Sequence, residues 1–514
     1  MRSELFSPDG TTDGTPNGTP DGTRSDLRPL IAVSVSGLAA ASLVPFLRPG
    51  LNIVLVGTVT LVAIIFSGAV GKTPTRLALA FASLGSLFPF ALLDAEWVVA
   101  LDLAAAILFA AAASVDASRW SDIRSIPLRF LRAIFKAPSF ILVPASAAMA
   151  RIAPENVRTA IKAAVLSVGL LLIFGALFIS ADSVLANAFD GLIPSLKADR
   201  VFIRAMMFAF VSAGVATIIF VSAEPKSPSH PRETSSLLGA TEWKVALSVL
   251  TALFVVFVGV QLTVLFAGRS HVLTTAGLTY AEYARQGFFQ LIFASILTLG
   301  VIAAASRSVL DGSMIRFHLG GLCVLTVVIL ASALKRLLLY ESAFGFTRAR
   351  FFAHACILAL GAIFIALVVA GLMKRYGWLP RGILAIAAIS VLGFNIANPD
   401  RLIAKWNIDR YGSDDKFDLE YLSTLSADSA SEMERLPPRM RVPWLDKNQR
   451  RLCEKSKPLE WNLSRLRARD QFGDELSMYK FPPDPLNSSA FSASPAASAS
   501  STSISCLAAY SRTS

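Results

Sequence analysis

The chain has 514 residues, 54% of them hydrophobic and 16% charged, with a mean hydropathy of +0.58. A soluble globular chain carries roughly a quarter charged residues, so this composition excludes an ordinary soluble protein. The net charge of +12 does not point to nucleic acid: no basic run is interleaved with stacking aromatics in a soluble module, and basic loops beside anionic lipid account for it.

Residues 1–28 open with a near-repeat, PDGT (8–11), TDGT (12–15), PNGT (16–19) and PDGT (20–23). Pro, Gly and Asp or Asn at this density favour turns and cannot build a core, so a disordered arm is expected. Apolar runs then recur at 29–47, 51–70, 77–94, 97–115, 160–180, 202–222, 244–267, 287–306, 318–336, 351–373 and 381–397. Each is long enough to cross about 30 Å of hydrocarbon as helix. The expected fold is therefore all-α, a polytopic transmembrane bundle of about eleven spans. Strict alternation, the mark of a membrane barrel, is absent. Pro89 predicts a kink in the third span. Alanine runs at Ala104–Ala106 and Ala110–Ala113 suit close helix packing in lipid.

Three stretches are too short or too polar to span. Trp120 to Lys136 places Arg124, Arg129, Arg132 and Lys136 among apolar residues, a pattern for a surface helix. Residues 139–150 and 183–196 read as interfacial. The loop at 116–159 is rich in Arg while the preceding one holds Asp94 and Glu96 and no base. The positive-inside rule then places the N-terminus in the cytoplasm, and an odd number of spans places the tail outside.

After the last span the character changes. Asn398-Pro399-Asp400 is a helix start, with Asn398 as cap and Pro399 at the first helical position, and the helix is expected to reach about Arg410. Residues 398–440 are expected to form a small helical tail, interrupted at Pro437-Pro438. Residues 441–514 are expected to be largely irregular, with a low-complexity Ser/Ala stretch at 487–505.

The chemistry-bearing residues are few. Thr279-x-x-Glu282 ahead of an apolar run is a capping box, which accounts for both residues. Tyr280, Glu282, Tyr283 and Arg285 also form a polar, aromatic mouth to the eighth span, and so a candidate ligand or docking site. Span parity puts Ala181–Arg200, Lys335–Arg350 and Asn395–Arg410 on the same membrane face. That makes Arg336, Glu341, Arg348, Asn398, Asp400, Asn407 and Arg410 candidate partners. Asp102 lies inside the fourth span, where a carboxyl is costly and a functional suspect. No hydrolase order, P-loop, dinucleotide motif or metal-ligand spacing stands out, so no catalytic residue, metal or cofactor is assigned.

Four runs carry a resemblance: LTYAEYARQGFFQL (278–291), KRLLLYESAFGFTRAR (335–350), NIANPDRLIAKWNIDRYG (395–412) and FDLEYLSTLSADSASEM (417–433). They resemble a bacterial family of polytopic membrane proteins defined as a domain of unknown function. The resemblance implies a bacterial inner-membrane location and supplies no activity. The leading expectation is a non-enzymatic membrane component in contact with lipid and a protein partner. The alternatives are a transporter or channel, and an enzyme acting on a lipid-linked substrate.

Overall fold

The computed structural model describes residues 27–71, 73–115, 129–133, 136, 154, 198–223, 240–266, 288–308, 313–411, 418–453 and 457–478. Among them the structure is helical, without strands. The bundle is built from α1 (Arg28–Leu43), α2 (Leu51–Phe66), α3 (Pro74–Gly85), α4 (Pro89–Leu92), α5 (Glu96–Ser114), α6 (Ala198–Ala223), α7 (Ala240–Phe266), α8 (Phe288–Ser308), α9 (Ser313–Phe344), α10 (Arg348–Met373) and α11 (Leu379–Ala397). Among the described residues, seven stretches are long and apolar enough to cross a membrane, and three shorter apolar helices accompany them. The expected run at 160–180, the interfacial segments at 139–150 and 183–196, the N-terminal arm up to residue 26 and the mouth residues Tyr280, Glu282, Tyr283 and Arg285 lie outside the described residues, while Arg28, expected in the arm, opens α1.

Why these runs become helices in lipid follows from the backbone. With no water to satisfy N–H and C=O groups, each run must bond internally, and helices do so. Proline marks the interruption. The third run breaks between Gly85 and Pro89, and Pro89 begins α4, because proline has no N–H and its ring clashes with the carbonyl four residues back.

The bundle has two halves. In the first, α1 packs against α6 and α2, and α3 against α5, around Ile64, Leu79, Phe109, Val215 and Ile219. Small residues let α5 approach its neighbours closely, with Ala112 and Ala113 fully buried. In the second half α9 is central, packing on α7, α8 and α10 around Ile329, Leu330, Leu337 and Phe364. The halves meet where α11 lies against α3 and α5, and Leu384 of α11 joins the first core.

One end of the bundle carries a helical cap. It comprises α12 (Pro399–Tyr411), α13 (Leu419–Ser423), a 3₁₀ turn (Ala427–Ser429), α14 (Ala430–Met433), α15 (Pro438–Cys453), a second 3₁₀ turn (Pro458–Glu460) and α16 (Leu463–Met478). The helix predicted after Asn398 starts at Pro399, and Asn398 Oδ1 accepts from the Arg401 N–H at 3.4 Å. The expectation of a largely irregular chain beyond 440 is corrected over 441–478. There Leu445 and Leu452 on α15, and Ala468, Phe472 and Leu476 on α16, are buried in one core with Ile403, Leu422, Leu425, Met433 and Trp444. The apolar residues are sparse, but they recur at helical spacing, which suffices to seat an otherwise charged helix on a core. Pro438 opens α15 rather than ending the cap.

Candidate functional site

The cap is joined to the bundle by a buried polar junction centred on Asp400. Asp400 lies in the first turn of α12 and is 0% exposed. Arg348, at the start of α10, forks onto it, with Nε 2.9 Å from Oδ1 and Nη2 2.5 Å from Oδ2. Trp97 Nε1, from the start of α5, donates to Oδ1 at 3.0 Å, and the Ser426 backbone N–H donates to Oδ2 at 2.9 Å. Burial by itself raises the Asp400 carboxyl. The Arg348 guanidinium, with the Ser426 and Trp97 donors, outweighs this and holds it below its ordinary value.

Around this centre, Arg348 Nη2 also donates to the Thr424 carbonyl at 3.1 Å. The Arg348 backbone N–H donates to Tyr421 Oη at 2.7 Å, which satisfies one of the donors that a helix start leaves open. Asn407 clamps the turn before α10 from both sides: its Oδ1 accepts from the Phe346 N–H and its Nδ2 donates to the Phe346 carbonyl, each at 2.9 Å. That turn needs Gly345, whose φ is +77° and where an added Cβ would lie 2.5 Å from Asn407 Oδ1.

A second clasp lies beside the first. Asp428 accepts from the Asp94 N–H at 3.0 Å, the Ala95 N–H at 2.8 Å and Ser426 Oγ at 3.0 Å. Burial pushes the Asp428 carboxyl up to about 6, against hydrogen bonds from the Ser464 hydroxyl and the Asp94 backbone. Asp94 itself is raised by burial, although Arg451 and Arg465 lie within ion-pair distance at 3.5 and 3.3 Å. Arg451 also pairs with Glu96. Nearby, Asn462 Nδ2 donates to the carbonyls of Phe90 and Leu93 at 3.0 and 2.7 Å. The Leu51 N–H donates to the Trp461 carbonyl at 3.0 Å. The cap comes so close to α2 that a Cβ on Gly50 would lie 2.8 Å from the Glu460 backbone.

The residues singled out in the sequence thus separate into groups. Arg348, Asp400 and Asn407 meet at the junction. Arg410 donates to the Glu341 carbonyl at 3.3 Å, and with Asn407, Gly345, Thr347, Asp418 and Tyr421 it lines a small surface cleft. Asn398 is a left-handed turn residue between α11 and α12, with φ of 48°. Arg336 donates to Gln261 of α7 at 2.8 Å, where Ser332 also donates at 2.9 Å. Glu341 is 1% exposed and its Oε1 lies 3.2 Å from His354 Nδ1. Asp102 is 1% exposed and accepts from Asn395 Nδ2 at 2.8 Å. Sequence reasoning did not single out Trp97, Ser426 or Asp428, nor the cap arginines Arg451 and Arg465. The available signal was the fourth run, whose Leu425-Ser426-Ala427-Asp428 stretch carries both Ser426 and Asp428.

These features define an integral membrane protein, a helical bundle closed at one end by a polar-clasped cap. The family model described as "Domain of unknown function (DUF4153)" matches residues 77–436, and the chain belongs to that family. No curated protein and no solved structure matches it. Of the four runs that carry the resemblance, three converge on the junction: Gly345 to Arg348, Asp400 to Asn407, and Tyr421 to Asp428. The first run lies largely outside the described residues.

Proposed function

We propose that this is a multi-pass protein of the bacterial inner membrane and a non-enzymatic component whose cap docks a protein partner. The observation that carries the reading is how the polar side chains of the motifs are used. Arg348, Asp400, Asn407, Ser426 and Asp428 hydrogen-bond one another and the neighbouring backbone. They build a platform, and of the five only Asn407 reaches the small cleft beside Arg410. An enzyme would instead gather Arg336 and Arg348 as a phosphate clamp beside Asp400, but Arg348 forks onto Asp400 while Arg336 reaches Gln261. The outer surface of the cap is charged with both signs, exposing Glu434, Arg435, Asp446, Lys447, Arg467 and Asp470. Such a surface suits a polar protein partner.

Chain direction supports an odd number of crossings, about eleven. The contact of Leu51 with Trp461 puts the start of α2 at the cap, and the clasp at Asp94 and Ala95 puts the start of α5 there. The pairs Ser248–His318 and Gln261–Ser332 run α7 and α9 in parallel, and Gly345 puts their shared end at the cap. Arg200 at the start of α6 stacks over Phe46, in the turn after α1. So α5 leaves the bundle away from the cap and α6 enters beside it; α1 starts away from the cap and α11 ends at it, which supports an odd total. Arg28 over Phe66, and Arg76 on the Ala113 carbonyl, put basic residues at the end away from the cap. With the Arg-rich 116–159 stretch, that favours a cytoplasmic N-terminus and an external cap.

Photo-crosslinking amino acids placed in cells at Glu434, Lys447 and Asp470, with lipid-exposed Leu372 as control, test the docking reading. A discrete protein adduct at cap positions, weakened by Arg348→Ala, is expected. Absence of any adduct at the cap positions removes the reading. A reporter fused after Met478 should be active outside the cytoplasm; activity confined to the cytoplasm reverses the orientation.

A further inference from the structure

A buried acid inside the bundle plays no part in clasping the cap. Asp102 sits on α5 at the seam between the two halves, facing α11. It is 1% exposed, yet its Oδ2 has no hydrogen-bond partner among the described residues. The carboxyl makes a single polar contact among the described residues, the 2.8 Å bond that Asn395 Nδ2 donates to Oδ1. Asn395 Oδ1 is likewise buried without a partner among the described residues. Two neighbouring groups therefore each leave one acceptor oxygen unsatisfied in an apolar setting, which is costly.

Among the described residues no counter-charge faces it. On α5 itself the buried neighbours are Val98, Ala105 and Ala106. From α11 come Phe394 and Val391, which join the apolar clusters on either side. The charged groups on the packed elements are engaged elsewhere or lie toward the helix ends. Arg76 of α3 donates to the carbonyls of Ala113 and Ser114. Arg200 and Arg204 of α6, and Arg381 of α11, are exposed at the helix starts. Glu96, at the mouth of α5, pairs with Arg451. Asp400 is neutralised by Arg348.

We infer that Asp102 and Asn395 form a proton-binding site within the membrane bundle. The carboxyl carries an exchangeable proton that its second oxygen donates toward the Asn395 amide oxygen. A neutral carboxylic acid and a primary amide are complementary: the acid's O–H meets the amide C=O while one amide N–H meets the acid's C=O. A single proton thus satisfies both orphaned oxygens and removes the uncompensated charge. A metal cation would need several more oxygen ligands, and the two apolar clusters provide none. The site lies about 9 Å along α5 from Glu96 and two residues before the end of α11, so protons reach it from the cap side. Loss of the proton leaves a bare carboxylate on the seam between the halves. That couples its ionisation to opening of α5 from α11. This inference does not depend on the docking reading.

Infrared difference spectroscopy on the purified full chain in lipid tests it. Wild-type protein should show a protonated-carboxyl carbonyl band that moves on transfer to heavy water, is lost in Asp102→Asn and is shifted in Asn395→Leu. If Asp102→Asn fails to fold, the shift in Asn395→Leu decides alone. Raising the pH should lower the protection of 96–114 against hydrogen exchange, relative to the intrinsic amide rate at each pH, in wild type and leave it unchanged in Asp102→Asn. Bands identical in all three proteins overturn the proposal. So does stabilisation by sodium chloride over choline chloride that Asp102→Asn abolishes, since that assigns the site to a metal cation.

Discussion

Arg348 and Asp400 join the first turn of α10 to the first turn of α12 through a forked pair, with Trp97 of α5 completing the carboxylate's shell. The pair therefore locks the cap to both halves of the bundle. Removing one partner leaves the other charge uncompensated, which costs about 3 kcal/mol for a buried pair. The lower end of the usual range applies because the Arg348 side chain is 32% exposed. Arg348→Ala and Asp400→Ala should each lower the unfolding temperature in detergent. Arg348→Lys should rescue only part of the loss, since lysine cannot fork. A lysine variant as stable as wild type would show that the fork contributes nothing.

Acidity should strengthen the second clasp. Asp428 titrates at about 6 in the folded state against 3.8 for the free group. Folding therefore takes up a proton between those values, and stability rises as the pH falls from about 7 toward 4, by up to about 3 kcal/mol. Asp94 is raised too and has the same sign. Asp400 has the opposite sign: it is lowered, so its contribution is present above the ordinary carboxylate value and lost as the pH falls below it. A stability maximum in mildly acidic solution should follow. Asp428→Asn, which cannot ionise, should flatten the profile between pH 5 and 7 (about one decade either side of the titration). A steady loss of wild-type stability on acidification from neutral would contradict this.

Much of the bundle could be read from hydropathy, because a helix in lipid is specified by one local quantity. Span parity likewise placed Lys335–Arg350 and Asn395–Arg410 on one face before any contact was known. What could not be read was partnership across distance. Trp97 meets Asp400 across 303 residues and Ala95 meets Asp428 across 333, and no periodicity encodes such a pairing. Asp94 was noticed as an acid in a base-free loop, but its burial under α15 and α16 was invisible because those helices were expected to be irregular. Their apolar residues are too few to raise mean hydropathy, although Trp444 and Phe472 anchor a core.

Gly345 should tolerate no side chain. Its φ of +77° lies in the left-handed region, which costs an L-residue roughly 1–2 kcal/mol, and its Cβ would meet Asn407 Oδ1. Gly345→Ala should lower stability by more than the backbone cost alone. In the background of Asn407→Ala, which removes the obstructing oxygen, the same substitution should cost only the backbone component. The double-mutant cycle measures this difference. Additive effects would mean that Gly345 is required for its backbone alone.

The cap should fold as a unit on the bundle, with Trp444 as its centre. Trp444 is buried, packs against Phe472 in a tilted pair with ring centroids 5.3 Å apart and donates its Nε1–H to the Leu425 carbonyl at 3.1 Å. Trp444→Ala removes the ring and leaves that carbonyl with the Asn448 amide, 3.2 Å away. Large-to-small changes of this kind cost about 3–5 kcal/mol. The bundle core is composed of other residues, around Phe109 and Phe364. Trp444→Ala should therefore release 418–478 to limited proteolysis while the spans stay protected in detergent. Phe472→Leu, which keeps most of the volume, should leave the cap resistant. If Trp444→Ala instead destabilised cap and spans in one transition, the polar junction would be carrying the bundle's own stability, and the cap would be an integral part of the membrane fold.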